Sequence, residues 1–209
     1  MMKDNGSLKS DASPFHAGEK EAQIKMGVAE QMEKFGRQVI RPFMPDQHQA
    51  FFAQLPVLFA GYVDQHGWPW ATMITGHPGF LKSPDPAHLD VNAMPASLDP
   101  LHASLNVGQK LGLLGIELHS RRRNRLNATI SAVNGEGFQL SVDQSFGNCP
   151  QYIRTRNFDF IREPGEPSEK QSREDLAVLD EEAIRLIGEA DTFFVSSYAD
   201  TGEQAASSG

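Results

Sequence analysis

The chain has 209 residues, 39% of them hydrophobic and 22% charged, and a formal net charge of −8. That length holds one ordinary core, or one domain with part of another, and the acidic balance speaks against general nucleic-acid binding, which needs a broad basic surface. The single cysteine, Cys149, excludes an internal disulfide framework and fits a reducing compartment, while no apolar run approaches the ~20 residues of a membrane helix.

Residues 1–13 are polar, lack the apolar stretch of a signal peptide and read as a disordered tail, so the cytoplasm is the default location. Residues 19–35 read as one helix, with Ile24, Val28, Met32 and Phe35 at helical spacing and Glu19 and Glu21 in the first turn. A second, short helix is predicted over 45–54, capped by Asp46, with Phe51, Phe52 and Leu55 toward the core. From Leu55 onward the pattern becomes strand-like. Residues 57–63 form a strand, Asp64-Gln65-His66-Gly67 a hairpin turn, and 68–75 the return strand. Short strands at 79–81 and 89–92, a helical turn at 100–105 and a strand at 110–116 follow. An Arg-rich strand, a Gly135-Glu136-Gly137 turn and a strand over 138–143 close the series. Six or so strands at short spacing, with 18 Gly and 13 Pro for turns, predict a mainly β protein with flanking helices: a six-stranded antiparallel barrel.

The C-terminal third divides differently. A Pro/Glu/Ser/Lys-rich linker is predicted over 164–174, then an amphipathic helix over 175–190, with Leu176, Leu179, Ala183, Ile184, Leu186 and Ile187 as its apolar set. The following Phe193-Phe194-Val195-Ser196-Ser197-Tyr198-Ala199-Asp200-Thr201-Gly202 parallels Val57-Leu58-Phe59-Ala60-Gly61-Tyr62-Val63-Asp64-Gln65-His66-Gly67. Both offer a helix, an apolar strand, Tyr-x-Asp and a Gly turn. Residues 175–209 therefore read as the helix and first strand of a truncated second, similar unit after a main domain over 14–163.

The chemical signal is concentrated in Arg121-Arg122-Arg123-Asn124-Arg125, four of the chain's eleven arginines. The run leads into an alternating strand that places Arg121, Arg123, Arg125 and Asn127 on one face and Leu126, Ala128, Ile130 and Ala132 on the other. Arg suits bidentate capture of phosphate, so an anion site on a sheet is predicted. The competing reading is a solvated, charged edge strand, for which interspersed Lys and Glu would serve better than four Arg without an acid among them. His119, just before the run, could add to the site. Arg122, on the core side, is expected at an exposed edge or paired across a dimer.

Other features are weaker. Cys149 has no cation within three residues, so a structural role outweighs a catalytic thiol. The seven histidines show no metal-ligand spacing, and no metal is predicted. Trp68 and Trp70 share a face, which serves equally as a dimer surface or as a wall against a planar cofactor. Gly76-x-x-Gly79 lacks the following helix of a phosphate loop. No order of Ser, His and Asp suggests a hydrolase. His16, in Pro14-Phe15-His16-x-Gly18-Glu19, is expected to cap the barrel or to touch a partner subunit.

The order helix, Tyr62-x-Asp64-x-x-Gly67 hairpin, Trp68-Pro69-Trp70-Ala71 return strand and Arg122-Arg123-Asn124-Arg125-Leu126-Asn127 resembles the pyridoxamine 5′-phosphate oxidase-like split-barrel flavoproteins. Asn148-Cys149-Pro150-Gln151-Tyr152-Ile153 and Ser13-Pro14-Phe15-His16-x-Gly18-Glu19 are similar to stretches of one subgroup, some of whose members look like fusions to a ferredoxin-reductase-type module. The resemblance implies a six-stranded split barrel, a homodimer, and FMN at the subunit interface, with FAD or haem as lesser alternatives. Matched position by position, it implies cofactor contacts from Trp70, Ala71 and Thr72 on the return strand and from Arg123, Arg125 and Asn127 on the later one. The oxidases carry an Arg and a Lys on the return strand where this chain has Thr72 and His77. Their substrate-phosphate ligands are not recognisable either, so pyridoxamine phosphate oxidation is not implied. The expected function is that of an FMN-dependent oxidoreductase without an identifiable catalytic acid or base. The alternative is a non-catalytic module that carries flavin or haem or docks an electron-transfer partner.

Overall fold

The computed structural model describes residues 13–149, 151, 153–166 and 172–198. Two helices open the chain, α1 (Ala17–Lys25) and α2 (Ala29–Val39), where the apolar spacing predicts one. The break lies at Gly27, whose φ of +70° ends the first helix in a conformation that glycine adopts at little cost. His16 is the N-cap of α1: its Nδ1 accepts from the amides of Gly18 and Glu19, and the Glu19 carboxylate accepts from the His16 amide. This reciprocal box explains the Pro-Phe-His-x-Gly-Glu pattern. A third helix, α3 (Asp46–Ala53), follows, with Pro45 rather than Asp46 at its N-cap.

Seven strands come next: β1 (Val57–Val63), β2 (Pro69–Thr75), β3 (Leu81–Asp85), β4 (His88–Val91), β5 (Lys110–Glu117), β6 (Arg122–Val133) and β7 (Phe138–Asn148). A short helix, α4 (Pro100–Ser104), precedes β5. The strands form one sheet in the order β2-β1-β5-β6-β7-β4-β3 with every pairing antiparallel. The expected count of six is corrected to seven, and β2 and β3 remain unpaired edges, so the sheet is not a closed barrel.

The sheet must nevertheless curl. Laid flat, seven strands ~4.8 Å apart span roughly 29 Å. Yet β2 and β3, at opposite edges, are joined only by the residues between Thr75 and Leu81, a reach of at most about 21 Å. Curling brings one face of all seven strands around a single apolar core that includes Leu58, Ala60, Ile74, Leu89, Leu113, Leu126, Ile130 and Leu140. Burying each large side chain is worth about 1.5–3 kcal/mol. Helix α3 seats Phe51 and Phe52 in the same core, and Leu55, just past its C-cap, joins them. Asp143 is an extra residue on β7 opposite the Asn127/Ala128 step of β6, a bulge that adds local twist.

Beyond β7 the chain returns over the outer face of the sheet, and the amide of Arg156 donates to the carbonyl of Leu118. Helix α5 (Glu181–Glu189), capped by Asp180, is shorter than the sequence suggests and has no buried residue. Residues 192–198 carry no strand pairing. The rest of the expected Tyr-x-Asp-Gly repeat, 199–202, lies outside the described residues, as do Pro150 and Tyr152 of the Asn-Cys-Pro-x-Tyr-Ile stretch.

Candidate functional site

Alternation along β6 is as expected up to Ile130; Ala132, expected on the core face, is exposed because the register shifts between Ile130 and Ala132. Leu126, Ala128 and Ile130 are buried with Asn124 on the core face, while Arg123, Arg125 and Asn127 face outward, each half-buried. Arg121 does not join them. It sits in the turn before β6 with φ +65° and is exposed. Arg122 turns the other way, its guanidinium 5.0 Å from the centre of the Phe51 ring and donating to the Gln47 carbonyl at 3.0 Å. It is exposed at the start of the strand, as expected, and links the sheet to α3 through these two contacts.

Strand register places two lateral rows on the outer face. One runs Met73, Phe59, Leu114, Arg125, Phe146; the next runs Ala71, Gly61, Gly112, Asn127, Gln144. Ala71, Gly61 and Gly112 leave a strip of sheet almost bare of side chains that runs into Asn127, bordered by the row of Phe59, Leu114 and Arg125. This strip floors a groove of about 830 Å³, within the range of cofactor and ligand pockets. Its far wall is the chain's own segment 191–196 together with Ile153, Arg154 and Arg156. Phe194 stacks on Phe59 with ring centres 3.7 Å apart and planes 17° apart.

Four guanidiniums line the groove. Arg123 donates to the Asn148 side chain at 3.3 Å, but among the described residues its buried Nε has no hydrogen-bond partner, nor has the buried Nε of Arg125. Burial, reinforced by neighbouring Arg123, pushes the Arg125 pKa below its ordinary value, with Glu19 acting weakly the other way. Arg154 and Arg156 instead hold the Asp191 carboxylate, the former at 3.4 Å and the latter in direct hydrogen bond. Asp191 is the only carboxylate among the described lining residues.

Of the residues singled out in the sequence, Arg123, Arg125 and Ala71 meet at this groove. Asn127 is on the same face, donating to Gln144 at 2.9 Å. Thr72 and Trp70 turn away from it. Thr72 is buried and donates to Asp99, while the Trp70 indole donates to Asp64 at 2.9 Å beside a separate hollow containing Asp99 and Arg173. Trp68 is two-thirds exposed in the hairpin turn. His119 is exposed 3.7 Å from Glu117, and Cys149 is exposed and free. No group of His, Cys, Asp and Glu able to hold a metal occurs among the described residues, and no described helix is long and apolar enough to cross a membrane. Sequence reading missed Arg154, Arg156 and the covering segment. They come from irregular chain after β7, where no periodic signal exists.

No family model matches the sequence, and no curated protein matches it. Among solved structures, the chain is similar to HupZ of Group A Streptococcus. A one-residue variant of that protein gives a TM-score of 0.38 at 10% identity over 50% of this chain and 99% of the other. A further HupZ structure gives 0.37 at 10% identity over 50% and 93%. An F420 reductase gives 0.31 at 7% identity over 51% and 97%. Similarity this remote does not identify what the groove holds.

Proposed function

We propose that the groove binds FMN and that the protein is a flavin-dependent oxidoreductase of the pyridoxamine 5′-phosphate oxidase-like split-barrel type. The observation that carries this reading is the pair Arg123 and Arg125, on one face of β6 and half-buried, each with a buried Nε lacking a partner among the described residues, beside a side-chain-poor strip of sheet. Two like charges brought together out of water cost stability, and a bound dianion offsets that cost. The phosphate falls to Arg123 and Arg125 in charge-assisted contacts. Gly61, Ala71 and Gly112 let a planar ring lie close to the backbone, with Phe59 and Leu114 along its border. Segment 191–196 excludes water from the outer side, so the chain itself supplies the second wall that a dimer partner would provide in the family resembled.

Bound there, FMN would supply two-electron transfer, its own chemistry rather than the protein's. The residues position it and balance its charge. Asp191 is held by two arginines and is poorly placed to move a proton, in keeping with a site that relies on the cofactor. Flavin is favoured over haem because none of the described lining residues is a His, Met, Cys or Tyr, the usual axial ligands of haem iron. The test is reconstitution of the purified chain with FMN, followed by visible absorption after desalting. Retained flavin absorption supports the reading; a colourless protein that takes up no FMN refutes it, and a Soret band on adding haemin would favour the carrier alternative.

A further inference from the structure

The groove has more positive charge than one phosphate needs. Arg123 and Arg125 stand on β6, and Arg154 and Arg156 lie on the covering chain, which the Arg156 amide ties to the Leu118 carbonyl just beyond β5. The second pair is already engaged by an acid of the chain itself, Asp191. Three residues on, Phe194 lays its ring against Phe59. Within one short stretch the chain thus places a carboxylate on two guanidiniums and an aromatic ring against the border of the floor. The ion pairs are open to solvent, with the Arg154 side chain 69% exposed, and such pairs are weak and readily exchanged.

We propose that Arg154 and Arg156 form a second anion subsite in the groove, for the carboxylate of a planar organic acid that meets the flavin, with Asp191 as its resident stand-in. The subsite stands on its own geometry; only the role of the acid as the flavin's reaction partner rests on the flavin reading. Arg offers two parallel donors to a carboxylate, and the four guanidiniums against one described lining carboxylate leave charge enough for a phosphate and an organic acid together.

The probe is benzoate, titrated calorimetrically into the whole 209-residue chain, with FMN affinity measured separately on the same preparations. Asp191→Ala should tighten benzoate about two- to fivefold, the scale on which weak exposed pairs compete, and Asp191→Asn should act in the same direction. Adding Arg154→Ala and Arg156→Ala to Asp191→Ala should abolish the gain. Benzoate affinity indifferent to both Asp191 variants, or a gain that survives loss of both arginines, overturns the proposal. So does a subsite that takes inorganic phosphate and ignores benzoate. If benzoate behaves as stated while FMN binds none of the proteins, the flavin reading falls and the subsite remains.

Discussion

Replacing Arg125 by Met separates a ligand-binding arginine from a structural one. Arg123 and Arg125 are two residues apart on one face of β6, about 7 Å between backbone positions. At an effective dielectric constant of about 20, two unit charges at that distance repel by about 2.4 kcal/mol, and screening at ordinary salt reduces this to about 1–2 kcal/mol. Met keeps much of the aliphatic stem and removes the charge, so the unliganded protein should gain about 1 kcal/mol in denaturant unfolding after some loss of packing. FMN should lose a charge-assisted contact worth about 1.5–3 kcal/mol, a rise in Kd of about 10- to 150-fold. Both quantities are measurable on one preparation, by urea titration and by quenching of flavin fluorescence. A less stable variant with unaltered FMN affinity would refute the argument, because the guanidinium would then be holding the fold and not a phosphate.

Three further outcomes are expected. His48 is buried with Nδ1 2.8 Å from the Ser145 hydroxyl, and burial, with Arg41 and Arg122, lowers its pKa. The unfolded state therefore takes up a proton before the folded state does, so stability falls as pH drops below about 6.5 through the lowered folded value. His48→Gln should flatten the dependence of Tm on pH across that window, and an unchanged slope would exclude His48 as its source. A Cβ on Gly137 would stand 2.0 Å from the Val91 carbonyl oxygen, so Gly137→Ala should push β4 from the β6–β7 turn and cost at least about 1–3 kcal/mol; a Tm equal to that of the parent contradicts this. Asp64 accepts from the amides of His66 and Trp68 and from the Trp70 indole, which hold its pKa down against the opposing effect of burial. Asp64→Ala should leave the indole without its acceptor and lower the Tm of the hairpin region, visible in Trp fluorescence during unfolding; an unchanged transition contradicts this.

Much of this architecture was legible where one periodicity dominates. The β6 alternation gave both its core face and the outward Arg123 and Arg125, because each second residue is apolar. Three kinds of feature escaped. A backbone conformation at Gly27 divided a stretch whose side chains still follow helical spacing. The bulge at Asp143, with polar residues on either side, concealed that β7 runs on to Asn148. Finally, alternation in β2 separates Trp70 and Thr72 from Ala71 but cannot say which set shares a face with the arginines. That follows from the register linking β2 to β1, β5 and β6, which is a long-range property. The covering contact of Phe194 on Phe59 is longer-range still.

The strand order has a consequence for how the protein is made. Neighbours in sequence pair locally in β1–β2, β3–β4 and β5–β6–β7, while β1–β5 and β4–β7 join segments far apart in the chain. Three hairpin-like pieces can form quickly, whereas closing the long loops between them sets the pace, as in other domains dominated by non-local pairing. Gly61 faces Gly112 across the β1–β5 join, so the groove floor exists only once that slow step is complete. A ligand held there cannot assist early folding and acts chiefly by slowing the escape of the finished protein.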